Sequence, residues 1–219
     1  PDGRRSGSPS VIHSGSAGIM PVWPLNATKN KMAENPREEP FSPAPLGELA
    51  AAIGFPVDRL SLLATALTHR SFAHETKSIS NERLEFLGDA VLGLVVGEYL
   101  YHRFPQAREG EMAKTRALVV SERILAARAR ALDLGRFLRL GRGEEASGGR
   151  ARESILADAF EAVVGALFIA AGLDRTRAFV LGQLEKEIEE AICGRSFFDF
   201  KTLLQEELQE EGEKPHYEV

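Results

Sequence analysis

Asn81-Glu82-Arg83-Leu84-Glu85-Phe86-Leu87-Gly88-Asp89-Ala90-Val91-Leu92 threads three carboxylates through a stretch otherwise apolar enough to be buried. At helical pitch, with Glu82 at zero, Glu85 falls near about −60° and Asp89 near about −20°, so the three acids share one face. Leu84, Leu87, Val91, Leu94 and Val95 gather on the opposite side, while Phe86, Leu92 and Val96 flank the acids. The acid face is therefore not simply the wet side of an amphipathic surface helix. Like charges crowded in a half-apolar setting repel one another and lose hydration, unless they are protonated or a cation sits among them. A divalent metal is the expected neutraliser.

The same anomaly recurs downstream. Asp158 and Glu161 lie at i, i+3 spacing in an apolar helix expected from about Arg152 to Ala171, with Leu156, Phe160, Val163 and Leu167 on the other side. Ala162, Gly165 and Ala166 sit beside these acids, and such small side chains let another helix approach closely. That approach would bring the second acid pair toward the first set. Either set alone reads as a solvated face, or as buried ion pairs with arginines such as Arg83. Five acids at one-face spacing in two of the chain's most apolar helices instead form a hard oxygen site suited to Mg²⁺. Glu109 could add a further carboxylate from the turn after the central helix.

Working outward, the chain reads as α-rich, with abundant Ala, Leu and Glu, few alternating β-branched runs, and 43% hydrophobic residues to form a core. Residues 1–43 read as a disordered tail punctuated by Gly, Ser and Pro. Its first 31 residues hold one acid, five Ser and four basic residues, a weak organellar-transit signature that its Gly and Pro contradict; Met32 could be the true start. Helices are expected over Leu46–Ile53, after a cap at Asp58, from an Asn81 cap to about Phe104, over Glu111–Val119, from Ser121 to Leu132, and over Leu173–Ile192. The Glu-rich face of the last reads as solvated surface. Leu140–Gly149 reads as a flexible, Gly-rich loop, and with no Gly-Lys-Ser/Thr following it is not a nucleotide P-loop. His69 and His74 read as packing or surface residues rather than ligands.

A single cysteine, Cys193, excludes an internal disulfide and a Cys-based zinc site, leaving carboxylates as the cage. No apolar run approaches the roughly 20 residues of a membrane span, and no secretory h-region is present, so a soluble, cytoplasmic protein without a membrane partner is expected. The net charge of −5 is uneven: residues 111–152 carry ten Lys or Arg against five acids, whereas residues 185–219 carry eleven acids against four basic residues. Global charge therefore says little about the binding face. Carboxylate-held Mg²⁺ with open positions suits phosphoryl chemistry, and with no Ser-His or Cys-His pair evident, hydrolysis by metal-activated water is the economical mechanism.

Residues Asn81 to Asp89 resemble the signature of ribonuclease III, and Gly148 to Gly165 resembles that family's second acidic motif. Thr68-His69-Arg70-Ser71 and Phe104-Pro105 through Arg116 are similar to the bacterial enzymes as well. The likeness covers about Leu46 to Ile192. It implies an all-α, homodimeric endonuclease domain, placed at residues 44–195. Residue by residue, it implies that Glu85, Asp89, Asp158 and Glu161 ligate catalytic Mg²⁺, for which Mn²⁺ can substitute. Glu82 and Glu109 become auxiliary acids, and Phe86 becomes a dimer contact that inserts into the partner subunit.

The implied activity is cleavage of double-stranded RNA to 5′-phosphate products with short 3′ overhangs, in rRNA and mRNA processing. Asp199–Glu206 and Pro215–Val219 resemble the opening of a double-stranded RNA-binding domain, making residues 196–219 the start of a truncated α/β module. The competing reading is a non-catalytic RNA-binding or dimerisation scaffold on the same fold, which would have no need to keep the four acids.

Overall fold

A computed structural model describes the backbone of residues 43–210 and the side chains of residues 46–193. The expected tail and the expected RNA-binding module at residues 196–219 lie outside the residues whose side chains are described. Helix α1 (Pro43–Ala52) is followed by a single 3₁₀ turn (Val57–Arg59), α2 (Leu60–Ala66) and α3 (Arg70–Thr76). Then come α4 (Glu82–Arg103), α5 (Glu109–Val119), α6 (Glu122–Ala131), α7 (Leu134–Phe137) and α8 (Arg142–Ala146). A second 3₁₀ turn (Gly149–Ala151) leads into α9 (Glu153–Glu210). Among the described residues there is no strand; Thr68 and Arg139 form an isolated parallel bridge. The all-α expectation holds.

Helix α9 is the spine, touching α2, α4, α5, α6 and α7. Its 58 residues are interrupted at Gly172, whose φ of 79° and ψ of 177° are not helical, at the junction expected between the two C-terminal helices. Thr176 closes the break by donating its hydroxyl to the Gly172 carbonyl at 2.8 Å. Phe160, Leu167, Leu184 and Ile188 from α9 pack with Leu92 and Leu100 from α4, Leu63 from α2 and Leu125 from α6 in one continuous core. Each such side chain contributes about 1.5–3 kcal/mol by leaving water.

One sequence expectation needs correction here. By length and composition the Glu153–Cys193 stretch of α9 could cross a membrane. Its most apolar window is 61% buried against the other helices, the pattern of a core helix surrounded on several sides.

The α4–α9 crossing has no side chain between the two backbones. A Cβ at Gly88 would collide with the Glu161 carbonyl, and a Cβ at Gly165 would collide with the Leu84 carbonyl. The small-residue stripe in α9 thus works as anticipated, and Gly88 supplies its counterpart in α4. This crossing selects the buried side of α4: Leu84, Gly88, Val91, Leu92, Val95, Val96 and Leu100. Leu94, assigned to the inner side by helical pitch, is instead 55% exposed.

Other local expectations shift for identifiable reasons. Asp58 falls within the 3₁₀ turn and makes no capping bond to α2. The Asn81 side chain likewise makes no capping bond; Asn81 is buried, and its backbone N–H donates to the Thr68 carbonyl at 2.8 Å. Ser121 donates its hydroxyl backward to Leu118 O rather than capping α6. The glycine-rich segment 140–149 is not a free loop. It follows Arg139, the residue bridged to Thr68, and forms α8, while Arg150 at its end donates Nη1 to the carbonyls of Gly135 (2.9 Å) and Leu138 (2.8 Å). The acidic face of α9 is also partly engaged, with Glu187 paired to Arg128 and Glu189 to Arg103.

The crossing predicts opposite signs for two glycine-to-alanine changes. Gly88→Ala should lower stability by about 3 kcal/mol, because backbone must move to admit the methyl group. Gly182→Ala in α9, where a Cβ meets nothing within 4 Å, should gain up to about 1 kcal/mol of helix propensity. Urea denaturation of both variants checks the contrast.

Candidate active site

The glycine crossing places the two acid sets together. Glu85 and Asp89 flank Gly88 on α4, and Glu161 is the residue whose carbonyl Gly88 abuts. Asp158 lies one turn earlier on α9. Glu85, Asp158 and Glu161 are half-buried, whereas Asp89 and Glu82 are exposed.

Their mutual repulsion is evident in their protonation. Burial pushes the Glu161 carboxyl up to about 7, and Asp89, Glu85 and Asp158 push in the same direction. Glu85 is raised by burial, then by Asp158 and Glu82, against the pull of Arg70. Asp158 is raised by burial and by Glu122, while His69 and Arg70 pull it down.

Arg70 and His69 offset only part of this crowding, and no direct pairing relieves it. Among the described residues no hydrogen bond or ion pair involves the side chains of Glu85, Asp89, Asp158 or Glu161, and Arg83 pairs with none of them. Elsewhere acids find partners, as Glu98 does in Arg177 at 2.8 Å. The four at the crossing are therefore oxygen donors that make no ion pair among the described residues, with Arg70 acting on Glu85 and Asp158 only through its field. Among the described residues no three His, Cys, Asp or Glu side chains are gathered closely enough to ligate one ion directly.

The other residues singled out in the sequence divide. Glu82 contributes to the charge on Glu85 and accepts a hydrogen bond from Ser80 Oγ at 2.7 Å. Glu109 stands exposed in the first turn of α5, and its charge is not among those acting on Glu85, Asp158 or Glu161. Phe86 is 81% exposed beside the acids. Leu94 (55%) and Tyr101 (67%) continue an exposed apolar strip along α4. His74 is exposed at the end of α3, whereas His69 is buried.

The charges of His69, Arg70 and Glu122 all reach Asp158; His69 and Arg70 stand in the Thr68–Ser71 motif noted in the sequence, whereas nothing in the sequence marked Glu122 as a neighbour of the site. The long-range bond from Asn81 to Thr68 is what carries the His69–Arg70 pair to the head of α4.

The Glu161 shift predicts a pH-dependent stability. Between its ordinary 4.5 and about 7 the folded protein keeps a proton that the unfolded chain has released. The folded state therefore binds more protons, and metal-free protein should lose stability as pH rises through that window. Glu161→Gln should flatten the decline and raise stability at pH 8 by on the order of 2 kcal/mol, as read from urea midpoints across pH 4–8.

Known proteins share this arrangement of chain. A family model described as ribonuclease-III-like matches residues 60–188. Ribonuclease 3 of Desulforamulus reducens is 52% identical over 170 residues, covering 76% of this chain and 69% of the relative. Ribonuclease 3 of Pseudomonas fluorescens is 50% identical over 175 residues, covering 80% and 75%. The nuclease domain of Campylobacter jejuni ribonuclease III, in a structure described for flexibility in the region involved in dimer formation, superimposes with a TM-score of 0.61. That pair is 44% identical and covers 65% of this chain and 97% of the other. With the model spanning most of the helical domain and the relatives half identical across it, this chain belongs to the ribonuclease-III-like family.

Proposed function

We propose that the chain is a Mg²⁺-dependent endonuclease of double-stranded RNA, with Mn²⁺ as an effective substitute. The observation that carries this reading is the set of four carboxylates brought near one another by the glycine crossing, three of them half-buried and Asp89 exposed, within a chain of this family. Glu85, Asp89, Asp158 and Glu161 would hold the ion, with Glu82 and Glu109 as auxiliary acids. When bound, such an ion polarises a non-bridging phosphate oxygen and orients the hydrolytic water.

The protein's own part is orientation and charge. The crossing fixes Glu161 relative to Glu85 and Asp89, so the site is organised before substrate arrives. With its carboxyl pushed up to about 7, Glu161 keeps its proton below neutral pH in the metal-free state and would release it to present an ionised carboxylate. In the overall reaction a water oxygen bonds to phosphorus, the P–O3′ bond breaks, and the leaving oxygen takes a proton. The products carry a 5′-phosphate and a 3′-hydroxyl.

Double-stranded RNA offers phosphates and 2′-hydroxyls rather than readable base edges in its deep groove. Of the basic residues in 111–152, Arg128, Arg130, Arg136, Arg150 and Arg152 are committed to ion pairs within the fold. Lys114, Arg116, Arg123 and Arg142 are exposed and make no ion pair among the described residues. Those four are the better candidates for phosphate contacts.

The exposed strip of Phe86, Leu94 and Tyr101 supports assembly as a homodimer, with Phe86 inserted into the partner. Two such sites, each cutting one strand, would leave short 3′ overhangs. Processing of rRNA and mRNA in the cytoplasm completes the proposal.

Two experiments test it on the full-length protein. Wild type should cleave long double-stranded RNA with Mg²⁺ and not with chelator. Glu161→Ala should slow cleavage at least about a hundredfold, equal to about 2.7 kcal/mol of barrier. Cleavage by wild type in chelator would remove the metal from the mechanism, and equal cleavage by the mutant would remove Glu161. In sedimentation velocity, Phe86→Ala should raise the monomer fraction; an unchanged mass distribution would take Phe86 out of the interface.

A further inference from the structure

Three stretches of chain are joined side by side at the head of α4. Thr68 and Arg139 form the isolated parallel bridge, with Arg139 N–H donating to Leu67 O at 2.8 Å and His69 N–H donating to Arg139 O at 3.1 Å. From the other side, Asn81 N–H donates to Thr68 O at 2.8 Å. Backbones bonded in this way run about 5 Å apart, so residue 139 lies roughly 10 Å from Asn81. The first turn beyond Asn81 carries Glu82 and Glu85.

The joining continues into α8 through two side chains of α3. Ser71 Oγ accepts the Gly141 N–H at 2.8 Å, and Glu75 Oε1 accepts the Arg142 N–H at 2.8 Å. Ser71 and Glu75 stand one helical turn apart, so a single face of α3 meets two consecutive amides. The fit requires glycine at 141, since a Cβ there would meet the Ser71 backbone at 2.9 Å and Glu75 Oε1 at 2.6 Å. With its first amide bonded to Glu75, α8 presents no bare helix end. What it presents is the Arg142 side chain.

Charge pairing leaves that side chain free. The two acids that share α8 are both engaged, Glu144 with Arg152 and Glu145 with Arg150. Arg142 is exposed, and its guanidinium makes no ion pair or hydrogen bond among the described residues. This is the reverse of Arg150, whose guanidinium is committed to the carbonyls of Gly135 and Leu138. Arg70, in the first turn of α3 and two residues beyond the Thr68 bridge, is likewise exposed and unpaired among the described residues.

We propose that Arg70 and Arg142 form a phosphate-binding rim beside the acid cluster, and that Glu75 is the residue that positions Arg142 within it. The inference rests on the reading of double-stranded RNA as the substrate. Phosphates follow one another every few ångströms along each strand, so a rim on the order of 10 to 20 Å from the acids meets the backbone several phosphates from the bond to be cut. Two fixed cations there offset the repulsion that the carboxylates present to an approaching polyanion.

Binding of an RNA duplex to the full-length protein in chelator, measured by fluorescence anisotropy across a salt series, tests both parts. Arg70→Ala and Arg142→Ala should each weaken binding at least about threefold and lower the slope of log affinity against log salt by about 1, the loss of one phosphate contact. Glu75→Gln and Glu75→Ala remove the same charge, but Gln keeps an acceptor for the Arg142 N–H. Glu75→Gln should therefore bind RNA at least about threefold more tightly than Glu75→Ala, and the difference should vanish when Arg142→Ala is also present.

An unchanged salt slope in either arginine variant would overturn the rim while the RNA reading stands. Equal affinities of the two Glu75 variants, or a difference that persists alongside Arg142→Ala, would overturn the positioning role and leave Glu75 a structural cap of α8. Wild type that binds no RNA duplex would overturn the substrate reading, and this inference with it.

Discussion

The backbones of α4 and α9 meet at Gly88 and Gly165 with no side chain between them, and the grouping of the acids depends on that closeness. Two helices with ordinary side chains at their crossing stand 8–10 Å apart. Glycine at both positions lets carbonyls pack against Cα atoms, and acids on neighbouring turns come within reach of one another's fields. Gly88 lies one residue from Asp89 and three from Glu85, so the contact that joins the helices also gathers the carboxylates. A methyl group at either glycine would disturb packing and site together.

This design stores an electrostatic cost. Acids elsewhere in the fold are paired, as in Arg177 with Glu98 or Arg128 with Glu187. Around the crossing, Glu85, Asp158 and Glu161 are all shifted upward, chiefly by burial and next by a neighbouring acid in two cases, Asp158 acting on Glu85 and Asp89 on Glu161. The fold tolerates this because a large apolar core on α9 supports the crossing. A bound cation would discharge the cost, linking occupancy of the site to stability.

Much of this was legible in the sequence, and the exceptions share a cause. Helical periodicity located α4 and α9, the Gly172 break fell where two helices were expected to join, and one-face spacing picked out Glu85, Asp89 and Asp158, whose charges reach Glu161 in the fold. Gly165 was recognisable as part of a small-residue stripe. Gly88 was not, because a lone glycine within a helix carries no mark of what lies opposite. Leu94 was placed inside by helical pitch but lies outside, since the position of α9 rather than periodicity selects the covered face of α4. Glycine content made residues 140–149 look mobile, yet Gly141 and Arg142 are bonded to Ser71 and Glu75 about seventy residues away in the chain. His69, read from the sequence as a packing or surface residue, is buried, and the main-chain bond from its N–H to Arg139 is one that no local pattern encodes.

The most direct test of the account is proton release on metal binding. Mn²⁺ titrated into metal-free protein by calorimetry, in buffers of different ionisation enthalpy, reports how many protons leave the acid cluster as the ion enters. The account predicts close to one proton released near pH 6, where Glu161 is still protonated, and almost none at pH 9, with the pH 6 release abolished in Glu161→Gln. Binding with no proton release at pH 6, or a release unaffected by that substitution, would contradict the claim that these crowded carboxylates are the site at which a cation binds.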